Sequence, residues 1–264
     1  MIRGSHGVTA GSLWLLAFCL ALAAVPGSAQ PQAARDAFYK GIIEGKSGSL
    51  KKAIDYFGQA IRTDPKFVLA YYNRALTLHQ LGEERRAIKD YSQAIRLEPN
   101  FADALAARGV AYENLGQYEQ AIKDYSEAIR LNPKVAVNFA NRASAYDKLG
   151  QPREAIRNYE EAIRLNPSDG GTLDSFAWLL ATVANPALRD GGRAVKLARE
   201  ACELTQWKEP NHIDTLAAAY ARIGDFQSAV KWQTKALQDP EFRKVKEAQE
   251  RLALYRTGKP YPPN

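Results

Sequence analysis

Residues 87–99 read AIKDYSQAIRLEP, residues 121–133 read AIKDYSEAIRLNP and residues 155–167 read AIRNYEEAIRLNP. A less regular version, AIDYFGQAIRTDP, stands at residues 53–65. A phrase that returns every 34 residues marks a stacked array of supersecondary units. Pro65, Pro99, Pro133 and Pro167 close the phrases. One alanine row runs Ala53, Ala87, Ala121, Ala155, Ala194 and Ala229, and a second runs Ala60, Ala94, Ala128, Ala162, Ala201 and Ala236. The two alanines stand seven residues apart in all six units, a spacing that returns to the same helix face.

A third row is small throughout: Gly41, Ala75, Gly109, Ala143, Ala177 and Ala217. Large side chains take the complementary places, with Phe57, Tyr91, Tyr125 and Tyr159 in one row and Leu78, Tyr112, Tyr146 and Tyr220 in another. Small residues at a helix crossing let backbones approach, and the rings fill the space between units. Gly82, Gly116, Gly150 and Gly224 stand where a first helix ends, a place for a left-handed cap. Each proline stands where a second helix has stopped. Each unit is therefore a pair of antiparallel helices that cannot bury its apolar face alone and is stabilised by its neighbours.

This pattern resembles the tetratricopeptide repeat, whose period and Gly/Ala, Tyr, Ala and Pro places match here over about residues 34–237. The resemblance implies an all-α chain: a right-handed α-solenoid of about six helix hairpins closed by a C-terminal capping helix. Within an array at 30–237, units are expected at about 34–67, 68–101, 102–135, 136–169, 170–209 and 210–237. The first is a weak end repeat, with Lys40 and Glu44 where Leu and Tyr are usual. In the fifth, Ala177 and Ala194 are 17 residues apart, which puts extra residues in the turn from Ala184 to Gly192; Ala198 replaces the usual aromatic. The stretches 178–182, 189–191, 201–205 and 214–220 look like a C-terminal repeat pair that recurs in bacterial proteins with many different partner modules. At 238–256, Asp239-Pro240 precedes a helical stretch from Glu241 to Tyr255, whose Phe242, Val245, Leu252 and Tyr255 are expected to cover the end of the stack. The tail at 257–264 carries Pro260, Pro262 and Pro263 and cannot continue a helix.

Residues 1–29 have a different character. Arg3 is their one charged residue, the apolar run Leu13 to Val25 follows, and Pro26-Gly27-Ser28-Ala29 ends it. This is the pattern of a secretory signal cut near Ala29. The run is short for a hydrocarbon core of roughly 30 Å, so an uncleaved membrane anchor is the alternative. Cys19 follows Phe18 in the middle of the run, which argues against lipidation. The expected location is periplasmic or secreted, with membrane contact only transient.

In a chain of 264 residues, 46% hydrophobic and 25% charged composition excludes low-complexity disorder, and two cysteines exclude a disulfide scaffold. A net charge of +7 and a pI near 9.3 raise nucleic acid or an acidic membrane as partners. The bases are dispersed, however, and Glu83-Glu84-Arg85-Arg86 and Lys51-Lys52 lie beside acids or apolar positions, as on a solvated helix face. Loss of residues 1–29 leaves +6 and one thiol, Cys202. With export, no nucleic-acid partner is expected.

Signals of chemistry fail on spacing. Between Gly41 and Gly45-Lys46-Ser47 stand three residues where a phosphate-binding loop needs four, and no strand precedes them, so the segment reads as a helix-ending turn. His79 and His212 have no second ligand a helical turn away, whereas zinc needs three or four convergent ligands. Cys202 lies in an apolar helix row with nothing nearby to activate it. No serine sits in a nucleophile elbow, and the neighbouring Glu160 and Glu161 point different ways. The sequence predicts no enzyme, no cofactor and no metal.

In the family, first helices line a concave groove that holds peptides. Carried across by register, this groove takes Tyr72, Asn73, Leu76 and His79 from the second unit. The third contributes Ala106, Val110, Glu113 and Asn114, and the fourth Ala140, Asn141, Ser144, Asp147 and Lys148. Asn73 and Asn141 occupy equivalent places and can bond a peptide backbone or their own helices. A terminal-carboxylate clamp is not expected, because only Asn73 fits it while Phe38, Ile42, Asp103 and Ala107 take its other places. Arg74, Arg108 and Arg142 recur with Asp90, Asp124 and Asn158, as inter-repeat ion pairs or as ligand contacts. These features predict a non-enzymatic protein–protein interaction adaptor or scaffold of a bacterial cell envelope, with a protein or peptide partner in the groove. Two alternatives stand beside it. One is a structural assembly factor of an envelope complex of the polysaccharide-export, pilus or secretion type, using edge and convex contacts. The other is an accessory subunit of an envelope enzyme.

Overall fold

The computed structural model describes residues 30–262, so the expected signal segment at 1–29 lies outside the described residues. Among these there are thirteen α-helices, two short 3₁₀ turns and no strand. They form two compact bodies, 30–145 and 146–262. The first body holds α1 (Gln32–Lys46), α2 (Leu50–Thr63), α3 (Val68–Gln80), α4 (Glu84–Leu97), α5 (Ala102–Asn114), α6 (Tyr118–Leu131) and most of α7 (Ala136–Lys148). The second holds the end of α7, then α8 (Pro152–Leu165), α9 (Gly170–Thr182), α10 (Gly191–Leu204), α11 (Pro210–Arg222), α12 (Phe226–Ala236) and α13 (Lys246–Arg256).

Within the first body, consecutive helices pair as hairpins: α1 with α2, α3 with α4, α5 with α6. Gly82 and Gly116 end α3 and α5 at φ +74° and +72°, a region open to glycine at little cost. Each turn closes by the N–H of the next residue donating back to the helix, Glu83 to the Leu78 carbonyl and Gln117 to the Tyr112 carbonyl, both at 2.9 Å. Ahead of Pro99 and Pro133, Glu98 and Asn132 are extended (φ −134° and −138°), as the following ring requires. Every residue of the two alanine rows is at most 1% exposed. The small row explains its own composition: a Cβ on Gly109 would stand 2.7 Å from the Tyr125 ring, and one on Gly41 2.6 Å from the Phe57 ring. Despite Lys40 and Glu44, α1 is held by Phe38, which packs on Phe57 and Phe67 with ring centroids 5.7 and 4.9 Å apart.

In the second body α9 pairs with α10 and α11 with α12, and α13 lies against α12. Tyr159 stacks on Phe176, ring centroids 5.5 Å apart. The long turn of the fifth hairpin is structured. Asn185 caps a 3₁₀ turn at Pro186–Leu188, and Asp190 caps α10 by accepting from the Arg193 N–H at 2.9 Å. Arg189 donates to the Val183 carbonyl at 2.8 Å and to the Ala184 carbonyl at 3.1 Å. A cation there satisfies acceptors at the negative end of α9.

The capping segment differs from expectation. It is broken at Val245, with a 3₁₀ turn at Phe242–Lys244 ahead of α13. Of the expected cover, Phe242 and Tyr255 are buried and Val245 and Leu252 half-buried; the buried residues of α13 also include Ala248 and Arg251. Arg251 makes a two-point ion pair with Asp214 of α11, Nε to Oδ1 at 2.8 Å and Nη2 to Oδ2 at 2.9 Å. Gln233 of α12 adds a bond from Nε2 to the same carboxylate at 2.7 Å, which ties three helices to one buried acid. A buried acid of this kind persists only when its hydrogen bonds are made.

Candidate functional site

The helices α3, α5 and α7 are the first helices of successive hairpins, and the residues expected to line a groove divide on them by burial. Tyr72 and Asn73 are 5% and 4% exposed, and Leu76 is buried with them. The Tyr72 ring packs on Phe101 and Tyr91, centroids 4.8 and 5.9 Å away. Burial, with the charge of Asp103 second, pushes its phenol well above the ordinary tyrosine range. The Asn73 amide turns inward and donates to the Leu69 carbonyl at 2.8 Å, so it satisfies its own helix. These three side chains are core, and a ligand laid on this face does not reach them.

His79, Ala106, Val110, Glu113, Asn141 and Ser144 are half-buried, and two sets of polar bonds, one through His79 and one through Glu113 and Ser144, cross between hairpins. His79 Nδ1 is 2.7 Å from Glu84 Oε2, and Glu84 Oε1 accepts from Asn114 Nδ2 at 2.7 Å. Glu113 accepts from Ser144 Oγ at 2.7 Å and from the Tyr125 hydroxyl at 3.1 Å. Burial, reinforced by Glu113, holds the Tyr125 phenol protonated far above its usual range. The result is a polar platform bridging α3, α5 and α7, with Ala106 and Val110 as the apolar patch beside it. Glu84 is the member that sequence reasoning missed. It lies at the start of a second helix, yet its side chain reaches first helices on both sides.

Of the remaining expected residues, Ala140 is buried and Lys148 exposed, and Asp147 sits three residues beyond Ser144 on α7 and belongs to the second body. There it lines a cleft of about 760 Å³ with Gln151, Arg153, Leu179, Val183 and Leu188. Burial raises its carboxyl above the usual range, with Lys148 opposing.

Two of the recurring arginines, Arg74 and Arg108, form their ion pairs within a hairpin and not between repeats. Arg74 pairs with Asp90 at 2.6 and 2.8 Å and Arg108 with Asp124 at 2.7 Å twice, so each joins the two helices of one hairpin. The inter-repeat strut is a serine. Arg108 Nη1 donates to Ser92 Oγ at 2.9 Å and Arg142 Nη1 to Ser126 Oγ at 3.0 Å. Cys202 is fully buried, and burial, then Asp174, pushes its thiol up to about 12.

The profile described as "Tetratricopeptide repeat" matches residues 68–101, 102–135 and 138–169, and one described as "TPR repeat" matches 43–82. This chain is a tetratricopeptide-repeat protein. A curated relative, "Uncharacterized protein MJ0572" of Methanocaldococcus jannaschii, is 40% identical over 45 residues; the match covers 17% of this tetratricopeptide-repeat chain and 52% of that protein, about half its length. Among solved structures, "YrrB: a TPR protein with an unusual peptide-binding site" is similar at TM-score 0.57 and 21% identity, over 73% of this chain and 94% of that one. "PilW, widely conserved type IV pilus biogenesis factor" is similar at TM-score 0.70 and 16% identity, over 83% and 98%. At these identities the two structures speak to the fold. A tetratricopeptide array supports a protein–protein interaction adaptor, in a family made up largely of non-enzymatic scaffolds. Among the described residues no helix is long and apolar enough to cross a membrane.

Proposed function

We propose that the chain is an exported, non-enzymatic adaptor of a bacterial cell envelope that holds a protein segment on the face formed by α3, α5 and α7. The observation that carries this reading is the platform itself. Glu84 and Glu113 each join side chains from different hairpins, and the apolar surface of Ala106 and Val110 lies within it. Fixed polar groups around a small apolar patch suit an extended segment whose backbone needs partners and whose side chains need cover. YrrB, a protein of similar fold described as having a peptide-binding site, lends support. The leader-like composition of residues 1–29 supports export.

The test is affinity capture from an envelope fraction with three chains side by side: the parent, Ala106→Glu with Asn141→Ala, and Lys89→Ala as a control on the exposed side of α4. Tyr72 is left untouched, because truncating a core ring tests folding and not binding. A protein retained by parent and control and lost from the double variant, with unchanged circular dichroism, supports the groove. Equal retention by all three chains removes it.

A further inference from the structure

Residues after α13 turn back onto the body that the helix caps. Gly258 takes φ +70°, and the Lys259 N–H donates to the Leu254 carbonyl at 3.0 Å, a helix-ending reversal that directs the tail across α9 and α11. There the Tyr261 ring meets Trp178 of α9, centroids 5.9 Å apart, and the Arg251 guanidinium stands 5.4 Å from both ring centroids. Arg222 of α11 fixes the backbone. Its Nε donates to the Ala181 carbonyl at 2.6 Å, and its Nη2 donates to the Tyr261 carbonyl at 3.0 Å and the Pro262 carbonyl at 3.1 Å. Pro260, Tyr261 and Pro262 are half-buried, with the Tyr261 ring against the core of this body and the segment still in part open to solvent.

We infer that Trp178, Arg222 and Arg251 form a binding site for a proline-containing segment with an aromatic residue. The chain's own Lys259–Pro262 occupies that site in cis, and a partner segment of the same chemistry displaces it. Two features define the ligand class. A single arginine reads two successive carbonyls, the second of them a proline's, a contact indifferent to the side chain of the first. The ring slot between an indole and a guanidinium selects an aromatic. The short tether supplies the chain's own segment at an effective concentration on the order of millimolar. This site lies in the second body and does not depend on the groove of α3, α5 and α7.

The experiment uses the full chain and the synthetic peptide Gly-Lys-Pro-Tyr-Pro-Pro-Asn, residues 258–264. Binding is followed by tryptophan fluorescence and by calorimetry. Tyr261→Ala, which weakens the cis occupant, is expected to bind the peptide at least ten-fold more tightly than the parent, and Arg222→Ala added to it to abolish binding. Hydrogen exchange at Lys259 and Tyr261 of the parent should rise when the peptide is in excess. No binding by Tyr261→Ala overturns the proposal: with an unchanged melt the surface is no site, and with a lowered melt the tail is simply part of the cap. A parent chain that dimerises in sedimentation and loses the dimer on Tyr261→Ala also overturns it, since the occupant would then be the tail of a second copy.

Discussion

Replacing Asp214 by alanine should be among the most damaging single changes in the second body. Its carboxylate is 0% exposed, and the Arg251 side chain opposite is 4% exposed. Among the hydrogen bonds that converge on the two oxygens are two from Arg251 and one from Gln233. Truncation strands a guanidinium with almost no access to water, and removing one partner of such a pair costs about 3–5 kcal/mol. Arg251→Met strands the carboxylate instead and should cost a similar amount. Combining Asp214→Ala with Arg251→Met removes both charges, so much of the loss should return. The coupling between the sites is then at least about 2 kcal/mol, far above the additivity limit of about 0.5 kcal/mol for independent positions. Because array stability sums over neighbours, the loss should appear as early melting of α12 and α13. Urea titration followed by tryptophan fluorescence reads the energies, and hydrogen exchange over 226–256 locates the melting. Additive losses in the double variant, or a loss below about 1 kcal/mol for Asp214→Ala, would refute the reasoning.

Three smaller tests address the rows and the isolated groups. The Tyr91 hydroxyl is buried and meets no hydrogen-bond partner among the described residues, whereas Tyr125 donates to Glu113. Tyr91→Phe should therefore be neutral or up to about 1 kcal/mol stabilising, and Tyr125→Phe should cost about 1.5–3 kcal/mol, read from urea midpoints. Cys202, with its thiol pushed up to about 12, should resist iodoacetamide at pH 8 in the native chain and label fully in urea, as mass spectrometry would show. Burial raises the Asp147 carboxyl above its unfolded value, so the proton binds more tightly in the folded state. The group weakens the fold above its folded pKa, and that penalty is lost as pH falls through it. Asp147→Asn should accordingly raise the melting midpoint by about one or two degrees at pH 7, with the gain vanishing in acid.

What could be read in the sequence is what repeats. Ala87 and Ala94, Gly109 facing Tyr125 and Pro99 after an extended Glu98 recur because the same backbone contact recurs, and a period exposes it. Register alone is coarser than a side chain's environment. Tyr72 and Asn73 occupy groove places by register, yet Phe101 from the next hairpin covers Tyr72, and the Leu69 carbonyl captures the Asn73 amide. Asn141 holds the equivalent place on α7 and stays half-buried, so the same position differs with its neighbours. Nor could periodicity reveal Asp214 with Arg251, separated by 37 residues and formed once. The serine struts were legible only in part: Ser92 and Ser126 are in register, but a hydroxyl carries no charge to suggest its partner.

This division bears on where specificity lies. An interaction repeated in successive hairpins, such as Arg74 with Asp90 and Arg108 with Asp124, stabilises both units alike and cannot distinguish one from the other. A ligand that binds in one register must be read by groups that occur once. In the first body those are His79, Glu84 and Asn114, together with Glu113 and Ser144. In the second they are Trp178, Arg222 and Arg251, beside the lengthened fifth turn whose Arg189 closes the end of α9. Departures from a consensus weaken an array unless something offsets them, and here each set is offset by hydrogen bonds that tie neighbouring elements together. The single-copy groups are therefore held in place by neighbouring elements as the repeated ones are, as the two proposed recognition surfaces require.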